Sequence, residues 1–570
     1  MRSRLLFPAA GVFVLVATLG AQKPFSLTID NIMRGPGLYG YEPSAPRFAA
    51  DSGKIWFEWK QASEPVLKPF DTYEVNRDGS GLRKLAEDEA KLIPPTGAER
   101  SKDGARLVWA REGDIFIRDN ASGRTRRVTR TADVESNAHW TRDGKRIWFT
   151  RSGNLYTLSL EDGALEQLTD IRPAGAADQP AAGPGGARGM AAARGSGEPP
   201  KGTDSQEFVK KEERDLIDVV SQRAKIREEE EARRKRENPR KAMTLQPRQT
   251  VASLILAPDE KTVIAAIGEA PQGTKNTIVP NFVTESGYTE DIGSRNKVGD
   301  VQAHSRMAIV GVADGAVKWI EHGQQTPTAG DGKKPAERDV ALMRPEFSED
   351  GTKAVLMARS ADNKDRWLLA LDMATGKTRV LTSDHDEAWI RGLGGFDGFG
   401  RGAGFGWMKN GQDLWFLSER TGYSQLYAVP YDGGESRALT SGRWEVGSAW
   451  LSEDKSRFYL VSNEPDPSEV HLFSMPAEGG PRTRITSSKG HHAPALSADE
   501  RWIADIHSYT NKPPELYVME NRPGAEERKL TSSPAPDFAS YPWIDAPITH
   551  FTTRDGAEAP VRVYKPANFQ

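Results

Sequence analysis

A short pattern recurs along the chain and limits the folds open to it. Each copy has an apolar strand, a turn containing Asp-Gly or Asn-Gly, further short strands and a closing pair such as Leu-Thr. Residues 405–440 show every part, with turns at Asn410-Gly411 and Asp432-Gly433 and an ending at Leu439-Thr440. Such turns favour tight hairpins because Gly and Asn accept positive φ at little cost. Each copy therefore predicts a small antiparallel sheet of four strands.

Copies of this sheet must stack, because a single one would leave both of its faces exposed. We count eight copies, which begin near Pro46, Ser101, His139, Leu256, Phe347, Phe405, Trp450 and Leu496. Their period, roughly 40 to 60 residues where nothing is inserted, is typical of propeller blades rather than helical solenoids. Radial stacking buries both faces of each sheet and leaves only short edges. The predicted fold class is all-β, an eight-bladed β-propeller with a charged helical insert.

Composition excludes several classes of function. The formal net charge is −3, so no global basic field argues for nucleic-acid binding. The chain has no cysteine, which excludes disulfides and thiolate chemistry. The nine histidines show no zinc-ligand spacing, and His491-His492 is interpreted as a loop pair rather than a metal site. We expect no metal and no cofactor.

The first residues have the pattern of an export signal. Arg2 and Arg4 precede an apolar run from Leu5 to Leu19, and small residues lead up to Gln22. We predict a signal peptide at residues 1–21, with an uncleaved anchor as the alternative. The apolar run is short for a membrane span. The expected location is periplasmic or secreted.

An insert at about residues 170–247 interrupts the blade pattern. A stretch rich in Ala, Gly and Pro comes first, and it cannot bury enough apolar surface to fold alone. A charged run from Phe208 to Arg240 follows, and its acidic-then-basic order predicts a helix with i,i+4 pairs. A solvated helix projecting from a blade is favoured over a binding arm. The run contains the carboxylate pair Glu212-Glu213.

Two long loops carry further candidate binding residues. Residues 278–303, inside the fourth blade, contain Glu285, Tyr288, Glu290 and Asp291, and residues 383–404 contain Trp389 and Arg391. Long loops on a rigid scaffold often carry binding groups. Each loop also has a structural alternative. The first loop is held by its own ion pairs, and in the second loop Trp389 packs beneath the loop instead of lining a site.

The sequence contains no convincing catalytic motif. It has no Gly-x-Ser-x-Gly nucleophile elbow, no phosphate-binding loop and no His-Glu-x-x-His. Residues 422–425 come nearest to the elbow, but Leu426 takes its last place and the segment is predicted as a strand. No catalytic residue is assigned. After the eighth blade, residues 546–570 predict a separate β-hairpin.

The segment 417–427, Leu-Ser-Glu-Arg-Thr-Gly-Tyr-Ser-Gln-Leu-Tyr, resembles the propeller of the prolyl oligopeptidase family of serine peptidases, particularly its dipeptidyl-peptidase IV branch. Residues 386–390 and 439–446 extend the resemblance in the same order. Residues 283–291 look like a feature of bacterial members. Residues 551–566 are similar to the first hairpin of the family's α/β-hydrolase domain. The resemblance as a whole covers nearly the entire chain after residue 21, and these segments occur along it in the expected order.

The resemblance implies a propeller that caps a hydrolase domain and restricts access to short peptides. After the predicted signal peptide at 1–21, it implies a propeller at 22–545 and, at 546–570, the start of an α/β-hydrolase domain whose Ser, Asp and His triad this chain lacks. The chain by itself is therefore expected not to hydrolyse peptides. The branch binds the substrate's amino terminus with two glutamates on a propeller helix, and Glu212 and Glu213 are the candidates for that role.

The expected partners are a peptide substrate and the hydrolase domain of the same protein, with a homodimer as an option and without nucleic acid. A function of another class stays open: a free-standing TolB-like periplasmic propeller that binds a protein partner. Leu-Thr strand endings and Asp-Gly turns are equally expected there. A propeller-borne glycosidase is a third reading, for which the sequence offers no inward acidic pair.

Overall fold

The structure is a computed structural model that describes residues 25–175, 219–223, 225, 226, 228, 229, 233, 240–297, 299–326, 335–390, 404–566 and 569. The predicted signal peptide at residues 1–21 lies outside them. Eight four-stranded antiparallel sheets dominate these residues, and in seven of them the four strands follow one another directly along the chain. The prediction of an eight-bladed β-propeller is confirmed.

The first four blades have the following strands. Blade 1 contains β1 (Ser44–Phe48), β2 (Lys54–Trp59), β3 (Asp71–Asn76) and β4 (Arg83–Lys84). Blade 2 contains β5 (Glu99–Arg100), β6 (Arg106–Arg111), β7 (Asp114–Asp119) and β8 (Thr125–Arg127). Blade 3 contains β9 (Glu135–Trp140), β10 (Arg146–Arg151), β11 (Asn154–Ser159) and β12 (Leu165–Gln167). The parallel pair β13 (Ile171–Arg172) and β14 (Met243–Thr244) follows blade 3. Blade 4 contains β15 (Gln249–Leu256), β16 (Thr262–Glu269), β19 (His304–Gly311) and β20 (Val317–Trp319). A separate hairpin, β17 (Ile278–Asn281) and β18 (Glu290–Gly293), lies between the second and third strands of this blade.

The last four blades have no inserted strands. Blade 5 contains β21 (Val340–Phe347), β22 (Ala354–Ser360), β23 (Asp365–Leu371) and β24 (Thr378–His385). Blade 6 contains β25 (Phe405–Trp407), β26 (Asp413–Ser418), β27 (Gln425–Pro430) and β28 (Arg437–Ala438). Blade 7 contains β29 (Val446–Leu451), β30 (Arg457–Ser462), β31 (His471–Pro476) and β32 (Thr483–Arg484). Blade 8 contains β33 (His491–Leu496), β34 (Trp502–Tyr509), β35 (Lys512–Glu520) and β36 (Arg528–Lys529), and the hairpin β37 (Ile548–Thr552) and β38 (Glu558–Arg562) follows.

The turn between the first and second strands repeats one hydrogen-bond pattern. In five blades a Ser or Thr hydroxyl donates to the carboxylate of the Asp two residues later, as Thr141 does to Asp143 at 2.7 Å. The same carboxylate accepts a backbone N–H two residues further on, as from Lys145 at 3.0 Å. Asp and Ser replace backbone hydrogen bonds in this way at turns. The recurrent Ser/Thr-x-Asp pattern therefore encodes the turn directly.

Apolar clusters join neighbouring blades at seven of the eight seams, and the cluster on the remaining side of blade 1 combines Trp56 with Leu85 and Ile93 of the segment that leads to blade 2. The clusters on either side of blade 5 illustrate this: one joins Ile264 of blade 4 to Leu356, and the other joins Val355 to Phe416 of blade 6. Consecutive residues of β22 thus face opposite neighbours, as strand geometry requires. Blades 8 and 1 are joined in the same way by a cluster that contains Ile506 and Phe57, so the ring is closed.

Segments outside the blades are few in the described part of the chain. Short helices are α1 (Ile29–Ile32), α2 (Pro36–Tyr39), α3 (Glu87–Lys91) and α4 (Pro536–Ser540). None of the described helices is long and apolar enough to span a membrane. The described residues between 219 and 233 are helical, as predicted for the charged insert, and those at 219–223 are exposed. The predicted terminal hairpin forms as β37 and β38.

The base of the insert belongs to the propeller core, which the sequence did not indicate. β13 and β14 pair in parallel, so the chain leaves and returns at the same place. Ile171 and Met243 are buried in the cluster between blades 3 and 4. The insert boundary of 170–247 was therefore too wide, because residues at both of its ends contribute apolar side chains to the ring.

Candidate functional site

The connections between strands divide the propeller into two unlike faces. Strands alternate in direction, so the connections from first to second and from third to fourth strand share one face, which we call the turn face. All of these connections are five to seven residues long. The connections from second to third strand and from one blade to the next share the opposite face, which we call the insertion face. The propeller thus offers one uniform face and one varied face.

Every long connection lies on the insertion face. It carries the segment 60–70 in blade 1, the charged insert after blade 3, the β17–β18 hairpin in blade 4 and the segment 386–404 between blades 5 and 6. The terminal hairpin also lies there, because the side chain of Asp545 accepts a hydrogen bond from Tyr509, at the end of β34. Binding residues concentrate in long loops on a rigid scaffold. The insertion face is therefore the candidate functional site.

Four of the predicted site residues lie on one exposed arm, the hairpin of β17 and β18 with its connecting residues. Glu285, Tyr288, Glu290 and Asp291 are all exposed, and Tyr288 is 80% exposed. Within the described residues, none of the three carboxylates forms an ion pair, so the alternative of a loop held by its own ion pairs is wrong. The arm is held by its backbone ladder and by a hydrogen bond from the Thr284 hydroxyl to the carbonyl of residue 288 at 2.7 Å.

The arm also exposes apolar side chains that the sequence analysis did not single out. Phe282 is 75% exposed and Val283 is 91% exposed, and Ile278, Val279 and Ile292 are each more than half exposed. The apolar residues at 278–283 could have indicated this exposure, because a two-stranded hairpin has no second sheet to cover them. The arm therefore offers both carboxylates and apolar groups to a ligand or a partner.

Trp389 is presented to solvent at the seam between blades 5 and 6. Its side chain is 59% exposed, so the alternative of a Trp packed beneath the loop is wrong. The next residue, Ile390, is buried, and it fixes the backbone by donating to the Asn363 carbonyl at 2.6 Å and accepting from Arg359 at 2.6 Å. No described contact joins Trp389 to the blade 4 arm. Arg391, Glu212 and Glu213 lie outside the described residues.

A buried ion cluster supports this seam. Asp384 accepts hydrogen bonds from Arg366 at 2.5 Å, from Arg420 at 2.7 Å and from the Ser418 hydroxyl at 2.8 Å. Burial raises the pKa of Asp384, but the charges and hydrogen bonds of Arg366 and Arg420 outweigh it, so the pKa lies below its usual value. The cluster ties β24 of blade 5 to β26 of blade 6. It holds in place the strand end from which the Trp389 segment departs.

Three histidines form a buried column between blades 7 and 8. His492 lies between His471 and His507, with ring centroids 5.0 and 4.2 Å away. Asp505 lies 2.5 Å from Nδ1 of His492, and the Ser488 carbonyl lies 2.8 Å from its Nε2. His491-His492 belongs to β33, so its interpretation as a loop pair was wrong: pairing with β34 places alternate residues inside the seam.

The pKa values of two neighbouring histidines of the column are shifted in opposite directions. Burial, together with the nearby His492 and Arg484, lowers the pKa of His471 to about 4. Nε2 of His471 lies 2.6 Å from the Arg484 guanidinium and 2.9 Å from the Glu469 carboxylate, and its Nδ1 lies 3.1 Å from the Thr486 hydroxyl. Burial also opposes protonation of His492, but Asp505 outweighs it and raises the pKa of His492. The described residues contain no group of three or more side chains able to hold a metal ion.

The comparisons with known proteins point to one family. Residues 271–514 match the family described as "Dipeptidyl peptidase IV (DPP IV) N-terminal region". A probable dipeptidyl peptidase 4 from Neosartorya fischeri is 29% identical over 164 residues, which make up 27% of this chain and 20% of that protein. Its counterpart from Aspergillus flavus is 31% identical over 113 residues, 19% of this chain and 14% of that protein. The matched part is thus a fifth or less of these relatives' length.

Solved structures share the fold along nearly the whole chain. The dipeptidyl peptidase 4 of Porphyromonas gingivalis superimposes with a TM-score of 0.57 at 14% identity, covering 96% of this chain and 68% of that one. A putative dipeptidyl aminopeptidase IV from Bacteroides ovatus gives a TM-score of 0.52 at 12% identity, covering 94% and 66%. At these identities the likeness concerns the fold alone.

Proposed function

We propose that the chain, whose residues 271–514 match the dipeptidyl peptidase IV N-terminal region, is the gating and substrate-anchoring part of a serine peptidase that hydrolyses short peptides. Its partners are a peptide substrate and an α/β-hydrolase domain of the same protein. The single observation that carries the proposal is the concentration of all long connections, and of the terminal hairpin, on one face. A domain placed there meets every variable segment of the propeller.

Specific residues are assigned to substrate binding within this proposal. Glu212 and Glu213 bind the cationic amino terminus of the peptide, since paired carboxylates favour an ammonium group. Trp389 and Arg391 border the entry between blades 5 and 6. Glu285, Tyr288, Glu290 and Asp291 act from the arm, either on substrate or on a second copy of the chain. The protein is exported to the periplasm or the exterior by residues 1–21.

The first experiment compares the chain alone with the native protein, captured from its source cells by an antibody against the propeller. Both are treated with a fluorophosphonate serine probe and with dipeptidyl nitroanilides carrying Pro or Ala in the second position. We expect the native protein to be labelled and to release dipeptides, and the chain alone to do neither. An unlabelled, inactive native protein with the mass of the propeller would instead support a TolB-like module that binds a protein partner.

The second experiment tests the assigned face. Trp389→Ala in the active native protein is expected to raise KM several-fold and to leave kcat within about twofold, because the indole meets the substrate but not the reacting bond. Leu165→Ala, at a half-exposed residue of the outer strand β12, is the matched control and should change neither constant. Equal effects of the two substitutions would contradict the assignment.

A further inference from the structure

The channel of the propeller opens on the turn face among eight short turns. First strands of neighbouring blades contact each other, as β1 contacts β33 and β5 contacts β9, whereas the short fourth strands are mostly exposed at the rim. The first strands therefore line the channel. The turns that follow them, at residues 49–53, 101–105, 141–145, 257–261, 348–353, 408–412, 452–456 and 497–501, surround its mouth.

One of these turns, residues 348–353 of blade 5, makes contacts that the others lack. Most contacts between the turns join adjacent blades, as the Ser52 hydroxyl joins Asp499 across the seam of blades 1 and 8. Glu349, however, pairs with Lys455 of blade 7 at 3.0 Å, past blade 6. Asp350 accepts a hydrogen bond on its carbonyl from Arg142 of blade 3 at 2.5 Å, past blade 4. The turn thus reaches both ways across the mouth.

Gly351 shows how closely this turn packs against its neighbours. Its φ is +73°, and a Cβ added there would lie 2.6 Å from Cβ of Pro258 in blade 4 and 3.3 Å from the Arg142 guanidinium. The corresponding glycines of blades 2 and 3, Gly104 and Gly144, have nothing nearer than 3.8 Å. The blade 5 turn therefore packs directly against the blade 4 turn that contains Pro258.

The charges around Glu349 come from three other blades. Its carboxylate is hydrogen-bonded to Lys455, and Lys102 of blade 2 and Arg142 of blade 3 act on it as well, so its pKa lies below the usual value. A residue that interacts with blades 2, 3 and 7 from blade 5 lies near the propeller axis. The opposite half of the mouth keeps a cavity of about 360 Å³, bordered by Trp450, Arg47 and Arg100. That volume is near the lower end for small-molecule pockets.

We propose that Glu349 and the blade 5 turn close the turn-face mouth of the channel to polymers, so that a peptide reaches the channel only from the insertion face. Small solutes still pass through the remaining cavity. The closure is a property of the ring itself and is independent of the proposed peptidase function. Because the pair of Glu349 and Lys455 is solvent-exposed, it positions the turn more than it stabilises the fold.

The absence of cysteine makes the geometry testable by cross-linking, since engineered cysteines are the only thiols. The variant E349C/K455C is treated with a short bismaleimide and its intramolecular cross-link is measured by mass spectrometry. We expect near-complete cross-linking. The control E349C/K364C should not cross-link, because residue 364 lies beyond β22 on the insertion face, more than about 20 Å away. Equal yields for the two pairs, or none for the first, would overturn the proposal.

Closure is measured with a reporter thiol, Ser448→Cys, on the inner strand β29. N-Ethylmaleimide and a maleimide on a long polyethylene glycol are compared. Entry through the insertion face is the same in both proteins, so a difference between them reports the turn-face mouth. We expect Glu349→Lys to speed the reaction with the long reagent by a larger factor than the reaction with the small one. Adding Lys455→Glu, which restores opposite charges, should return the slow rate. Unchanged labelling in E349K, despite cross-linking of the cysteine pair, would mean that the contact exists without closing the channel.

Discussion

Threonines at the blade ends explain why the Leu-Thr pair repeats in the sequence. In blades 2, 3, 6, 7 and 8 the Thr hydroxyl oxygen accepts a backbone N–H near the start of the third strand at 2.9 to 3.0 Å. The residue before that N–H is polar and buried, and its side chain meets the same threonine. One hydroxyl therefore satisfies two buried groups at a position where no ladder bond is available.

Replacing Thr440 by Val is expected to lower the free energy of unfolding by about 1–3 kcal/mol. The side chain keeps its shape, but the buried N–H of Leu426 and the amide oxygen of Gln425 lose their partner. The measurement is urea denaturation followed by intrinsic fluorescence. Thr549→Val, at an exposed residue of β37, is the control and should change the value by less than about 0.5 kcal/mol. Similar losses at the two positions would contradict this account.

The glycines of two turns allow backbone strain to be separated from crowding. Gly351 and Gly411 occupy related turns with φ of +73° and +62°, but an added Cβ meets nothing within 4 Å at Gly411. Gly411→Ala is expected to cost about 1–2 kcal/mol from the left-handed conformation alone. Gly351→Ala should cost at least about 1 kcal/mol more, because Pro258 must move as well. Equal losses in thermal or urea unfolding would show that the blade 5 turn is not tightly seated.

At the scale of a single element pair, the histidine column makes the seam between blades 7 and 8 sensitive to pH. His471 has a folded pKa of about 4, below its unfolded value of about 6.5, so the unfolded chain binds more protons in this interval. Its contribution to stability is complete above pH 6.5 and is lost as the pH falls toward 4. His492 acts in the opposite direction, since its raised pKa stabilises the fold at low pH.

Removing His471 is therefore expected to flatten the pH dependence of stability. The free energy of unfolding of His471→Gln, measured in urea between pH 7.5 and 4.5, should fall less steeply with acid than that of the parent. The free energy of unfolding of His492→Gln should fall more steeply with acid, because the raised pKa of His492 no longer offsets the destabilisation caused by His471. His550→Gln, in the exposed terminal hairpin, is the control for a histidine outside the column. Parallel pH profiles for all four proteins would refute the assignment.

At the scale of the whole molecule, the ring of described residues is closed without a shared strand, by an apolar cluster and by hydrogen bonds such as the one from the Ser52 hydroxyl to Asp499. β1–β4 of blade 1 and β33–β36 of blade 8 each form a complete sheet, so the described residues show no strand shared across the seam. Phe57, Trp59 and Tyr73 form the aromatic part of the cluster that joins the two blades. The ring therefore depends on this one apolar interface as much as on any other.

Phe57→Ala is expected to lower the free energy of unfolding by about 3–5 kcal/mol, because a fully buried ring is replaced by a cavity at the closure. Urea denaturation gives the value, and limited proteolysis should show cleavage beginning in blades 1 and 8. Phe551→Ala, at a half-exposed ring of the terminal hairpin, is the matched control. Cleavage that starts elsewhere would contradict the central role of the seam.

Much of this architecture could be read from local chemistry. Ser/Thr-x-Asp turns and Leu-Thr endings count the blades because each depends on hydrogen bonds within a few residues or one hairpin. Interruptions in the recurring blade pattern also indicated where the arm that contains residues 285–291 and the charged insert leave the ring. The sequence thus predicted the number of blades, their order and the segments that leave the ring.

Contacts between blades could not be predicted, because nothing in a local pattern says which strands face each other across the ring. Trp389 could equally have packed inward, and only strand pairing places His492 in a seam between blades rather than in a loop. The meeting of Glu349 with Lys455 joins residues 106 positions apart. By itself the sequence determined the blades and their turns; only the tertiary structure decided the two unlike faces and the contacts across the channel, since these depend on how the ring closes.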